Sequence, residues 1–196
     1  MSDILGLSWS PRRLKIRLTL ALLIALTLFA PASSQTGTEV YFANGHVYLL
    51  NADAALGTQA EKTDLAEELL RLTNEVRTSR GLSALTLHPA LTQAASSHAA
   101  EMLEMNYFSH TSPLPGRRST RQRVQLYGAN PQKLSENIFE CSGYDVSLVA
   151  RFAMESFLQS PQHRANLLDP KATHFGLGVS EKNKQVFISE VFASGF

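Results

Sequence analysis

The chain has 196 residues, 18 Lys plus Arg against 17 Asp plus Glu, and a formal net charge of +1. A balance this close to neutral gives no electrostatic basis for nucleic-acid binding, which needs a strongly basic domain or stripe. The single cysteine, Cys141, excludes an intramolecular disulfide, so stability must come from packing.

At the N-terminus Arg12, Arg13, Lys15 and Arg17 precede an uncharged apolar run from Leu18 to Ala30. This order is that of a secretory signal, and the run is shorter than the roughly 20 residues a spanning helix requires. Pro31 follows at once, and Ala30 with Ala32 supplies the small-residue cleavage pattern. Residues 1–32 are therefore expected to be a signal peptide, cleaved after Ala32, that delivers the protein to the periplasm or the medium with no transmembrane span after processing. An uncleaved anchor is the alternative. The mature chain keeps 14 Lys plus Arg and 16 Asp plus Glu. Residues 33–61 read as a linker with short strands, because Val40, Tyr41 and Phe42 and then Val47, Tyr48 and Leu49 flank the turn-forming pair Asn44-Gly45.

A domain over residues 62–196 follows. Leu65, Leu69, Leu72 and Val76 share one face of a helix expected from Thr63, with Asp64 and Glu67 as a capping pair, Arg77 and Arg80 near the C-terminal end, and Gly81 closing it. Pro89 opens a second helix reaching about Asn106, whose buried face takes Leu91, Ala94, Ala95, His98 and Met102. Within that stripe His98 reads as a hydrogen-bonded core histidine. Four arginines, Arg117, Arg118, Arg121 and Arg123, crowd together without an acid; they read as a solvated helix start, with a local anion-attracting patch as the alternative. A short helix over 119–127 is ended by Gly128, a longer one over 145–159 is capped by Asp145, and strands are expected at 134–140, 175–181 and 185–192. Helices early and strands late predict an α+β domain, with helices covering a mainly antiparallel sheet.

Three segments carry titratable groups at element boundaries, where a rigid scaffold can aim them: Ser109-His110-Thr111, Ser135-Glu136-Asn137-Ile138 and Ser160-Pro161-Gln162-His163-Arg164-Ala165-Asn166. Two imidazoles and a carboxylate can hold zinc or a similar ion, and a carboxylate can also fix an imidazole's tautomer. The alternative is a hydrogen-bonded His–Glu pair that only rigidifies the cleft.

Taken in order with Asn74-Glu75-Val76-Arg77, Arg80-Gly81-Leu82, Gly176-Leu177-Gly178 and the closing strand at 187–192, these segments resemble the CAP, or SCP-like, superfamily and its bacterial secreted branch. The resemblance spans roughly residues 64–196. It implies an α-β-α sandwich with a central His/Glu cleft in which His110, His163 and Glu136 converge, with reversible binding of a divalent cation. The family's second glutamate lies three residues after a tryptophan. Here Phe157 stands at the tryptophan position and Ser160 at the glutamate position, so the cluster is incomplete. Glu155 does not substitute, because five residues along a helix place it about 140° around the axis. Arg164 and Asn166 are expected to brace the loop after His163.

The ligand cleft is thus His110, Glu136, Ser160 and His163. The first reading is a non-catalytic binding module for a divalent ion, a lipid or another small molecule or cell-envelope component. A cell-envelope interaction or signalling scaffold comes second. Third is a metal-assisted hydrolase with Glu136 as base; it lacks a third firm ligand, and no G-x-S-x-G elbow surrounds Ser109, Ser135 or Ser160.

Overall fold

The computed structural model describes residues 39–43, 46–50 and 59–196, with side chains from Asp64 onward. The expected signal segment lies outside the described residues. Strands β1 (Glu39–Ala43) and β2 (His46–Leu50) pair antiparallel, with Tyr41 opposite Tyr48, as the Asn44-Gly45 spacing predicts. They belong, with all that follows, to a unit spanning Gln35–Phe196.

Helix α1 runs Gln59–Thr78 and so begins ahead of the expected Thr63. Asp64 is inside the helix and cannot cap it, which corrects that assignment. Leu65 and Leu69 are buried as expected, but the row continues through Thr73 and Arg77, both fully buried, while Leu72 and Val76 flank it. Nor does Arg77 merely neutralise a helix end. Its guanidinium donates to the carbonyls of Leu167 (2.8 Å), Asp169 (3.1 Å), Ala172 (3.2 Å) and Ser83 (3.0 Å), tying α1 to distant loops.

Helix α2 (Pro89–Glu104) has its proline in the first turn and buries the whole expected face, His98 included. Helix α3 (Thr120–Leu126) starts at a reciprocal capping box between Ser119 and Gln122, and α4 (Val146–Gln159) starts at Asp145, whose carboxylate accepts from Ser147 N. Two elements were not legible in the sequence. The two-residue strand β3 (Thr86–Leu87) and the seven-residue helix α5 (Pro161–Leu167) are too short to display a period. His163 therefore sits on a helical turn, not in an open loop.

Strands β4 (Lys133–Ser142), β5 (His174–Lys182) and β6 (Gln185–Ser194) complete a sheet of order β3-β5-β6-β4, antiparallel except for β3 against β5. Along β6 the side chains alternate between two cores, as strand geometry requires. Val186, Ile188 and Phe192 join the cluster with α1 and α4, whereas Phe187, Val191 and Ala193 join the clusters with α2. The result is the expected α-β-α sandwich, with β4 as an edge strand.

The α2 layer lies at backbone contact with β5. A Cβ on Gly176 would come within 2.2 Å of the Leu91 carbonyl carbon, and one on Gly178 within 2.2 Å of Ala95 C and Ser96 N. Because the obstruction is helix backbone, Gly178→Ala is expected to lower unfolding free energy by at least about 1–3 kcal/mol, the usual cost of overpacking. Urea denaturation measures this; an unchanged midpoint would show that α2 can move outward.

Candidate functional site

The edge strand β4 builds the site. Consecutive strand residues face opposite sides of a sheet, and Glu136 and Asn137 do so here: Glu136 meets residues of the α2–α3 layer and Asn137 those of the α1–α4–α5 layer. The two histidines arrive from these two layers and meet at the edge.

Glu136 is buried and fully engaged. Arg123 donates to both its oxygens (2.8 and 3.0 Å), Ser189 Oγ donates to Oε1 (3.2 Å), and His110 Nδ1 lies 3.0 Å from Oε2. Burial alone would raise the carboxyl's pKa, but the His110 hydrogen bond and the Arg123 charge hold it below the usual carboxylate range. An ionised Glu136 accepts only, so His110 donates to it from Nδ1, which leaves Nε2 as the ring nitrogen not engaged by Glu136. With both oxygens committed, Glu136 is placed to orient His110 and is a poor general base.

Arg123 also donates to the carbonyls of His110 (3.2 Å), Arg117 (3.1 Å) and Arg118 (3.3 Å). It is essentially buried, as is Arg117, whose Nε lies 3.4 Å from the buried carboxylate of Glu101. The arginine cluster is therefore neither a solvated helix start nor an anion patch as a whole. Arg123 belongs to the site, Arg117 to the interior, and only Arg118 and Arg121 are exposed.

On the other layer, Ser160 caps α5 by accepting from His163 N at 3.4 Å. His163 stands edge-on to the fully buried Phe157, with ring centroids 5.5 Å apart. His163 Nδ1 is buried and meets no hydrogen-bond partner, and desolvation followed by the neighbouring His110 lowers the imidazole pKa. Asn137 Nδ2 donates to His163 O (3.2 Å), while Asn166 Nδ2 donates to Glu136 O (3.2 Å) and Asn137 Oδ1 (3.0 Å). Arg164 donates to Leu158 O at 2.8 Å. Arg164 and Asn166 thus brace the backbone, as expected.

The rings of His110 and His163 face one another at a centroid distance of 6.4 Å, tilted by 59°. Zinc–nitrogen bonds are about 2.0–2.1 Å, so one ion held by both rings in a tetrahedral arrangement would draw them closer together than this. Among the described residues, no group of three or more His, Cys, Asp or Glu side chains is arranged to hold a metal. Ser109 Oγ accepts from Thr111 N (3.1 Å) and, like Ser160, is committed to backbone. Cys141 is free and half-buried, with burial and the nearby Glu140 and Glu181 pushing its thiol pKa up; it is a packing residue remote in role from the cleft.

This fold and this His/Glu edge define a class. The chain belongs to the cysteine-rich secretory protein (CAP) family, whose model matches residues 70–194. Among curated proteins it is 34% identical over 121 residues to the uncharacterized membrane protein YlbC of Bacillus subtilis, covering 62% of this chain and 33% of that one. It is 30% identical over 115 residues to the uncharacterized protein YkwD of the same organism, covering 59% and 42%. The chain thus spans less than half the length of these relatives. Among solved structures, an extracellular SCP-domain protein from Bacillus anthracis aligns with a TM-score of 0.57 at 26% identity, over 76% of this chain and 46% of that one. An outer surface protein from Borrelia burgdorferi aligns with a TM-score of 0.57 at 18% identity, over 72% and 97%, and shares the fold.

Two buried acids, Glu101 on α2 and Glu190 on β6, escaped the sequence reading. Glu190 on β6 is completely buried behind the site, with Oε2 accepting from Asn137 Nδ2 at 3.4 Å and Oε1 unpartnered. The Thr73 hydroxyl approaches the carboxyl without completing a hydrogen bond. Desolvation outweighs both neighbours and pushes the pKa up to about 8. The folded state then holds a proton that the unfolded chain releases near its ordinary value of 4.5, so this group's contribution to stability falls as pH rises from about 4.5 to about 8 and is flat beyond. Glu190→Gln is expected to be more stable than the parent at pH 8 and nearly equal to it at pH 4.5. Denaturation curves at both pH values check this; equal stability differences at the two would show that folding does not raise the pKa of Glu190.

Proposed function

We propose that this domain is a non-catalytic binding module of an exported protein, and that its cleft takes up a divalent cation, zinc or similar, reversibly on His110 and His163. The observation that carries the reading is the approach of these two imidazoles at the β4 edge, 6.4 Å apart, with His110 already set in one tautomer by Glu136. A bound ion would supply a positive centre with open coordination positions. The chain's own residues supply the rest: His110 and His163 offer nitrogens, Glu136 orients His110, and Asn137 and Asn166 hold the backbone beneath His163. Two neutral imidazoles bind such an ion weakly, since catalytic zinc sites ordinarily have three protein ligands. Weak holding and a carboxylate committed to Arg123 favour capture over hydrolysis.

Replacing both His110 and His163 with Ala is expected to lower zinc affinity at least about a hundredfold while circular dichroism stays that of the folded domain. Glu136→Gln should have the milder effect of an orienting group. Calorimetric titration reads both, and unchanged zinc affinity in a folded double variant would falsify the metal reading in favour of a purely structural His–Glu pair.

Export rests on the charge-then-apolar order of the N-terminal segment and on the Ala30-x-Ala32 pattern. No helix among the described residues is long and apolar enough to cross a membrane. N-terminal sequencing of protein recovered from the periplasm or medium is expected to start at Ser33; a chain still starting at Met1 contradicts cleavage.

A further inference from the structure

The loop over residues 107–118, which carries His110, is fastened from beneath by one turn of α2. Glu101, completely buried, accepts hydrogen bonds at Oε1 from the hydroxyls of Tyr107 and Ser112, which stand on either side of His110. Its other oxygen faces Arg117 Nε at 3.4 Å, farther along the same loop. Three residues earlier on the helix, His98 Nε2 lies 3.0 Å from the carbonyl of Ser109, the residue just before His110. Burial lowers the His98 pKa to about 4; the ring is neutral and donates from Nε2. The loop closes on itself through Ser112 N to Arg118 O (3.0 Å) and Leu114 N to Ser112 Oγ (3.0 Å).

A buried carboxylate is expensive to keep. Replacing a buried ion pair by apolar residues of similar volume is often neutral or stabilising. Glu101 lies in the buried stripe of α2 with Leu91, Ala94, Ala95, His98 and Met102, and the core alone gives no reason for a carboxylate there; its partners are the Tyr107 and Ser112 hydroxyls and Arg117. What it provides is geometry, since it joins three separated points of one loop to a single rigid helix.

We propose that Glu101 is a positioning residue of the cleft: by gripping Tyr107, Ser112 and Arg117 together, it holds the His110 ring in line with Glu136 and across from His163. The consequence for metal uptake rests on the cleft being the cation site proposed above; the consequence for the ring itself does not.

The test is Glu101→Gln in the full chain, metal-free and nitrogen-15 labelled, with the His110 imidazole followed by long-range proton–nitrogen correlation. The parent is expected to show a single Nδ1–H tautomer. The variant is expected to show averaging between tautomers and, on zinc titration, an affinity about 10–100-fold lower, the range for loss of an orienting group. Asn74→Ala, which removes the side-chain bonds from α1 to Leu85, serves as the control for destabilisation alone and is expected to leave the His110 signals unmoved. A folded Glu101→Gln protein with the parent's His110 tautomer overturns the proposal. If that variant does not fold, Tyr107→Phe combined with Ser112→Ala removes both hydroxyl grips and leaves the Arg117 pair, and an unchanged His110 tautomer there overturns it equally. A parent that binds no zinc sinks the cation reading alone, and the tautomer still decides the role of Glu101.

Discussion

The pairing of Arg123 with Glu136 is the interaction on which the cleft depends. Both groups are almost wholly removed from water, at 1% and 3% side-chain exposure, and neither could remain charged there alone. Removing one partner from such a pair generally costs about 3–5 kcal/mol, because the other is left charged and unpaired. The remaining donors of Arg123 go to backbone carbonyls, His110 among them, and to the Thr120 hydroxyl, and the remaining lone pairs of Glu136 go to Ser189 and His110. One ion pair thus fixes the sheet edge, the start of α3 and the segment bearing the first histidine.

The second histidine is held by different means. Asn137, the next residue along β4, works on the opposite face of the sheet and grips the backbone of α5, so His163 is placed through its main chain and through Phe157. Among the described residues no carboxylate orients its ring, and its inner nitrogen is left without a partner. Ser160, which precedes α5, is occupied as its helix cap. The two imidazoles therefore have unlike surroundings: His110 meets a buried carboxylate, and His163 meets the edge of a buried aromatic ring.

Much of this architecture was legible in the sequence, and the gaps have physical causes. The apolar row of α2 and the strands β4 to β6 were readable because their periods run long enough to stand out, and Asp145 marked the start of α4 by its capping chemistry. His110, Glu136 and His163 were readable only as an ordered set of motifs, since no local pattern says that positions from different layers meet. Arg77, Arg123, Glu101 and Glu190 were misjudged or overlooked for one shared reason. Charged residues are read as surface by default, and their burial becomes visible only when their partners, far away in sequence, are known. Asp64 failed as a cap because the polar segment from Gln59 also propagates the helix, which composition alone did not exclude.

The two edges of the sandwich are joined in unlike ways. On the β5 side, glycines let the α2 main chain rest on the strand, a contact between covalently stiff surfaces with no side chain to flex between them. On the β4 side, the layers are bridged by hydrogen-bonded side chains such as Asn137, Asn166 and Arg123. The sandwich is thus closed along β5 by main chain against main chain and along β4 by side chain against main chain. A side chain added at Gly176 or Gly178 meets the backbone of a sixteen-residue helix, whereas a change at Asn137 reaches the main chain of the very residue that carries the second imidazole.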